Sequence, residues 1–345
     1  MMGGLKKAAE TRSSRGLSLE RTRHAMISLR WVSSVLLGPF LREQSLDLIR
    51  PRQIEWAPAL SPRTAKLKRY TLFYGEAGTG SPLLLIHGYG AGLWVWEKQI
   101  EVLSQHHRVL ALDLVGHGFS DRPRIPYTPE AYVDCVRDFM DRLGLEKAVL
   151  IGNSMGGGIA WAMAVLFPER VDKLILIDSV PPDVLGAVRN ESFRTLIAMN
   201  RVPFLAQWII ASRSRRSLRQ VLRECLSDRT LIREAILRRQ YDLLRIKGTT
   251  WVLYSTLAHA EEGLKFRDRL REIVCPTLLI WGEEDQVLPC SVGEALHEMI
   301  PGSVLRVIPK SGHIPMWESP EKVNPLLLSF LARDFLDKAF ADEGK

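Results

Sequence analysis

The chain has 345 residues, 46% hydrophobic and 25% charged, with a formal net charge of +8. This excludes a disordered, collagen-like or disulfide-stapled chain and leaves room for one large globular domain with an insertion. The positive charge is concentrated: residues 191–250 carry thirteen Lys and Arg against five Asp and Glu, residues 1–50 carry nine against four, and the remainder is net acidic.

Residues 1–25 are polar and Arg-rich, and an apolar run over 27–41 follows, interrupted by Arg30, Ser33 and Ser34 and stopped by Gly38-Pro39. A membrane span needs about 18–20 uninterrupted apolar residues, so this is not a transmembrane helix. No small-x-small cleavage site follows it either. Two readings stand for this basic extension, taken as residues 1–60: an amphipathic helix that lies on a membrane surface or partner, and a helix that packs on the body of the protein.

From residue 53 the pattern changes to short strands, 53–56 and 69–74, closed by a turn with Gly75, Gly78 and Gly80. Residues 82–86, Pro-Leu-Leu-Leu-Ile, form a continuous apolar run, the pattern of a strand buried on both faces. It ends in His87-Gly88-Tyr89-Gly90, where a glycine turn can leave backbone N–H groups free to bind an oxyanion. A helix over 94–104, a strand over 108–112 and the loop Asp113-Leu-Val-Gly-His-Gly-Phe-Ser120 follow. Thr128-Pro129 caps a helix that runs to Leu143.

The next strand, beginning at Ala148, runs into Gly152-Asn153-Ser154-Met155-Gly156 and a helical pattern. A residue at such a corner adopts strained backbone angles, and its neighbours at plus and minus two must be nearly free of side chain. A G-x-S-x-G match arises by chance about once in ten chains of this length, and a serine beside glycines is commonly a turn or cap residue. The pentapeptide therefore needs a base, an acid and an oxyanion site to support it. Another buried strand covers 173–177; the alternation of strand and helix then stops for residues 181–265, which read as several helices rich in arginine and aromatic residues. It resumes with a strand over 274–281, the loop Gly282-Glu283-Glu284-Asp285, a helix, a strand over 303–308, Ser311-Gly312-His313, and a final helix from Ser319 to about Phe340. Alternating strands and helices imply right-handed crossovers and a parallel sheet wound on both faces.

Taken together, these motifs resemble the α/β-hydrolase superfamily from about Arg69 to the final helix. His87-Gly88-Tyr89-Gly90 is similar to its oxyanion loop, Gly152 to Gly156 to its nucleophile elbow, and the loops at Asp285 and His313 to its acid and base loops. The order Ser, Asp, His is the one that fold imposes. The resemblance implies an α/β architecture, a mostly parallel doubly wound sheet built from residues 61–180 and 266–345, with a helical cap inserted over 181–265.

It also implies roles. Ser154 is the expected nucleophile, His313 the general base and then acid, and Asp285 the carboxylate that fixes the imidazole, with Glu283, Glu284 and Asp178 as competitors for that place. The N–H groups of Tyr89 and Met155 are the expected oxyanion donors. His87 and His117 are read as structural, and Cys290 as a small buried side chain.

The expected reaction is hydrolysis of a carboxylic ester with an apolar or lipid-like acyl group through an acyl-enzyme. Gly-Asn-Ser-Met-Gly-Gly is also similar to the carbon–carbon hydrolases of ring-cleavage diketone acids, which usually carry an aromatic residue directly after the base, where this chain has Ile314. A third reading is a non-catalytic binding protein on a hydrolase scaffold. No cofactor motif or metal-ligand spacing occurs, and no nucleic-acid recognition motif accompanies the arginines. Cys135, Cys225, Cys275 and Cys290 lack paired spacing, which points to reduced thiols and a cytoplasmic protein, with membrane association if the N-terminal segment binds lipid.

Overall fold

The computed structural model describes residues 57–332; the expected strand at 53–56, the N-terminal segment and residues 333–345 lie outside them. Among the described residues, eight strands form one sheet in the order β1-β2-β4-β3-β5-β6-β7-β8. They are β1 (Ser61–Lys66), β2 (Thr71–Ala77), β3 (Pro82–Ile86), β4 (Arg108–Leu112), β5 (Ala148–Asn153), β6 (Val171–Ile177), β7 (Thr277–Gly282) and β8 (Val304–Ile308). β2 runs antiparallel to both β1 and β4, and every pair from β4 across to β8 is parallel.

The sheet forms because its central strands are apolar on both faces. Leu84, Ile86, Leu110, Leu150, Leu174 and Leu279 point into one core with the helices α2 (Pro129–Arg142) and α3 (Met155–Leu166). Their strand neighbours Leu83, Leu85, Val109, Ile151, Ile175 and Ile280 point into the other, with Trp94, Trp96 and Phe330. Side chains alternate across a strand, so a continuous apolar run feeds both layers at once. Burying each Leu or Ile contributes about 1.5–3 kcal/mol.

The expected helix over 94–104 is instead a 3₁₀ turn, Leu93–Trp96, followed by a short helix, α1 (Ile100–Ser104). All four residues of the turn are buried, Asp113 holds the Leu93 N–H at 2.7 Å, and the buried Gln99 donates to Asn324 at 2.9 Å. Tertiary contacts on all sides set this backbone, not helical periodicity.

Between β6 and β7 come six α-helices: α4 (Val184–Ala187), α5 (Glu191–Met199), α6 (Pro203–Ala211), α7 (Arg215–Cys225), α8 (Glu234–Leu244) and α9 (Thr249–Ala258); a 3₁₀ segment, Ala260–Glu272, leads back to the sheet. Their boundaries follow local chemistry. Asn190 caps α5, Pro203 opens α6, and Ser214 and Ser217 form a reciprocal capping box at α7. On α7 the buried Leu218, Leu222 and Cys225 recur at helical spacing and turn inward, leaving Arg215, Arg216 and Arg223 exposed. After β7 come α10 (Cys290–Met299), α11 (Pro315–Glu318) and α12 (Pro320–Leu331). The final helix ends at Leu331, and its expected continuation from 333 falls outside the described residues.

Candidate active site

β5 ends in the corner that carries Ser154, whose φ of 54° and ψ of −119° lie outside the ordinary regions for a non-glycine residue. The flanking glycines permit this. A Cβ on Gly152 would stand 2.3 Å from the Gly156 carbonyl oxygen, and one on Gly156 would stand 2.1 Å from the Ile86 carbonyl oxygen. The elbow thus presses the start of α3 against the end of β3, and the serine hydroxyl is carried out of the turn.

His313 lies after β8 on the loop before α11. Its Nε2 is 2.9 Å from Ser154 Oγ, and its Nδ1 is 2.7 Å from Asp285 Oδ2. With the Nδ1 proton donated to Asp285, Nε2 is left as the acceptor for the serine O–H. The other oxygen of Asp285 accepts from the Val287 and Leu288 N–H groups at 2.7 and 3.0 Å. Three side chains from loops after β5, β7 and β8 therefore form one hydrogen-bonded relay. Both His313 and Asp285 are buried.

Tyr89 and Met155 sit beside Ser154 in the wall of the same cavity. Met155 is the first residue of α3, so its N–H is among those a helix leaves without an intrahelical acceptor. The Tyr89 hydroxyl reaches away from the serine to the Leu253 carbonyl at 3.0 Å, so only the backbone of Tyr89 is available to a bound oxygen. Gly88 lets that loop approach closely: a Cβ there would be 3.1 Å from Ser154 Cβ.

Asp178, a competitor for the acid's place, is fully buried and accepts the Gly282 N–H at 2.9 Å. Burial, and then the neighbouring Asp285 charge, push its carboxyl well above the usual range. Glu283 instead accepts the Lys310 N–H, and Glu284 accepts from Ser227. Neither is bonded to His313.

The loop from Asp113 is structural. Its buried carboxyl accepts from Leu93 and Phe119, and a Cβ on Gly118 would fall within 2.0 Å of it. Burial pushes this carboxyl up to about 6. His87 donates from Nδ1 to the Gly88 carbonyl and accepts the Leu114 N–H at Nε2, and burial holds it down at about 4. Neither His87 nor His117 touches the relay. Cys290 is only half-buried, its thiol directed to the Gly282 carbonyl at 3.3 Å. All four cysteines are free.

Three ties to the relay had no signature in the sequence. Asn153 donates from Nδ2 to the Ile177 and His313 carbonyls at 3.1 and 3.2 Å, fastening the base loop to the elbow. The His313 N–H donates to the Cys225 carbonyl at 2.7 Å, linking that loop to the end of α7. Glu318 accepts from Gly312 at 2.8 Å and from the Asp228 N–H. All but the Gly312 bond, which spans six residues, join residues tens to hundreds apart, which spacing does not encode.

The relay opens into a cavity of about 330 Å³ between the sheet and the inserted helices, with Leu196, Ile197, Ile209, Ile210, Leu218 and Leu253 among its walls. Arg213 lines it too, but its guanidinium donates to the Ile210 and Leu244 carbonyls and to Thr250 Oγ1 at 3.4 Å. Gln240 accepts from Trp94 Nε1 at 2.8 Å and donates to the Gly90 carbonyl. Trp317 is not in the wall; Ile314 is, while Trp317 packs edge-on against Trp94 and donates to Glu97 at 2.9 Å.

A sequence profile of the alpha/beta hydrolase fold matches residues 81–320. The chain belongs to the α/β-hydrolase family. Within it, the chain is similar to the 2-hydroxy-6-oxo-6-(2'-aminophenyl)hexa-2,4-dienoic acid hydrolase of Metapseudomonas resinovorans, 30% identical over 267 residues that cover 75% of this chain and 87% of the relative. The structure of a meta-cleavage product hydrolase from Pseudomonas fluorescens superposes with a TM-score of 0.67 at 29% identity, over 78% of this chain and 96% of that one. A membrane phospholipase A, described as a bacterial virulence factor, gives a TM-score of 0.65 at 27% identity and covers 93% of this chain and 98% of its own. The proteins it resembles thus include hydrolases of meta-cleavage products and a membrane phospholipase A. No helix among the described residues is long and apolar enough to cross a membrane.

Proposed function

We propose that the protein is a serine-dependent carboxylic-ester hydrolase whose substrate carries an apolar, lipid-like acyl group. The observation that carries this reading is the Ser154–His313–Asp285 relay at the floor of an apolar cavity. His313 takes the Ser154 proton as Oγ attacks the ester carbonyl, and Asp285 stabilises the imidazolium that forms. The N–H groups of Tyr89 and Met155 bind the oxyanion, each contributing about 3 kcal/mol in the transition state. His313 then protonates the leaving alcohol, and a water activated by the same imidazole releases the acid. The inserted helices act as a cap that shapes the acyl site. The likeness to a phospholipase over nearly the whole chain supports an acyl ester.

A second reading, hydrolysis of a carbon–carbon bond in a diketone acid, is supported about equally by the relatives. The cavity favours the ester: a carboxylate-bearing substrate needs a cation, and the guanidinium of Arg213 is directed at cap carbonyls. A panel of p-nitrophenyl esters from acetyl to palmitoyl, run beside a ring-cleavage diketone acid, separates the two. Ester turnover with a preference for medium or long acyl chains, lost by about 10⁴-fold or more in Ser154→Ala, is expected. Turnover of the diketone acid with no ester cleaved at any length would reverse the assignment. The basic N-terminal segment belongs to the same proposal as a peripheral contact with anionic lipid, read out by flotation with anionic vesicles with and without residues 1–50.

A further inference from the structure

Asp178 is a buried carboxyl beside the relay that the mechanism above leaves without a task. It follows β6 directly, between the strand that delivers Ser154 and the one that leads to Asp285; Asn153 lies opposite Ile177, and Ile177 opposite Ile280. The acid loop itself fixes it. Its N–H donates to the Ile280 carbonyl at 2.9 Å, and its Oδ1 accepts the Gly282 N–H at 2.9 Å. Its φ of 42° is uncommon for a residue other than glycine. Oδ2 is buried without a regular hydrogen-bond partner, a state that costs a few kcal/mol and that an apolar residue would avoid. One oxygen of Asp178, one oxygen of Asp285 and one ring nitrogen of His313 lie within 4.8 Å of one another.

We propose that Asp178 is a second carboxyl of the relay, a positioning residue that shares the place beside His313 with Asp285 and accepts the imidazole Nδ1–H when Asp285 carries no charge. This rests on the assignment of Ser154 and His313 as nucleophile and base. The imidazolium formed during attack needs one negative charge close by, and two carboxyls at this separation hold one proton between them. In the wild-type chain Asp285 has the regular hydrogen bond and the charge, while Asp178 keeps the proton. The ionisable groups around Asp178 are Asp285 on the acid loop, His313 on the base loop, Glu318 on α11 and the Cys290 thiol at the start of α10. Removing the Asp285 charge removes the nearest repulsion and leaves burial and the more weakly felt Glu318 to hold the proton against the Gly282 N–H, so Asp178 ionises at a lower pH than before.

The test compares wild type, Asp285→Asn, Asp178→Asn and the double variant on a short-chain p-nitrophenyl ester from pH 5 to 9, with fluorophosphonate labelling of Ser154 and melting temperatures alongside. Loss of a lone triad acid costs about 10⁴-fold. Asp285→Asn is expected to lose about 100-fold, with a residual rate that rises with pH as Asp178 ionises. The double variant is expected to lose about a further 100-fold and that rising limb, so that Asp178→Asn costs at least about 10-fold more when combined with Asp285→Asn than when Asp285 is intact. Equal rates and superimposable profiles for Asp285→Asn and the double variant overturn the proposal. If the double variant does not fold, Asp285→Asn decides alone, and a profile of wild-type shape overturns it. A wild-type chain that cleaves no ester and takes up no fluorophosphonate fails earlier, at the assignment beneath.

Discussion

A methyl group on Gly156 would have to occupy the space of the Ile86 carbonyl oxygen, 2.1 Å from where its carbon would sit. Backbone cannot yield there as the end of a flexible side chain would. Gly156→Ala is therefore expected to cost about 2 kcal/mol in stability and to displace Ser154, lowering fluorophosphonate labelling and melting temperature together. His87 gives a prediction in pH. Its folded value of about 4 lies below the 6.5 of an exposed histidine, so the unfolded chain binds its proton first as acid is added. The stability it supplies is complete above pH 6.5 and is lost as pH falls through 4, a difference of roughly 3 kcal/mol. Melting temperatures measured from about pH 7 to 4 are expected to fall more steeply for wild type than for His87→Gln. An equal slope would mean that the unfolded chain and the folded loop hold this imidazole alike.

Among the elements, α2 is the one whose cap was read directly from the sequence. Thr128 accepts the Ala131 N–H at 3.1 Å and Pro129 occupies the first turn. Thr128→Ala is expected to cost about 1 kcal/mol, visible as a lower urea midpoint with an unchanged slope. Elements of this kind were legible. So were β3, β5 and β7, whose continuous apolar runs have no other use than a two-sided core, and the elbow, whose glycines are demanded by backbone contacts. β1 was not legible, because Ser61–Lys66 buries only Ala65 and, at the sheet edge, needs no apolar alternation. The helix expected over 94–104 was lost to side-chain bonds from Asp113 and Gln99, whose partners are remote in the chain. At the site, Ser154, His313 and Asp285 were named by motif order, whereas Asn153, Cys225 and Glu318 were invisible, since each tie has at one end or both a backbone carbonyl or N–H that any residue type possesses.

For the molecule as a whole, the proposed acyl site is the cavity between sheet and insertion. Ile210 is buried in its wall and belongs to α6, away from the relay. Ile210→Trp is expected to lower kcat/KM for octanoyl and longer esters about 10-fold more than for acetyl or butyryl esters, with Ser154 labelling retained. Uniform loss at every chain length would place the acyl group elsewhere. The insertion as a unit is also where the charge lies, with thirteen basic residues between 191 and 250. Many of these are engaged: Arg219 pairs with Glu234, and Arg239 with Glu97 of the sheet domain at 3.0 Å.

The hydrogen bond from His313 to the Cys225 carbonyl bears on how substrates get in. A hinged door that carried α7 away would drag the base out of register with the serine, so the resting protein cannot open at that end and remain armed. Any movement of the inserted helices that admits a ligand must therefore leave the end of α7 in place, and anyone transplanting a foreign roof onto this chassis would have to bring the loop of His313 with it.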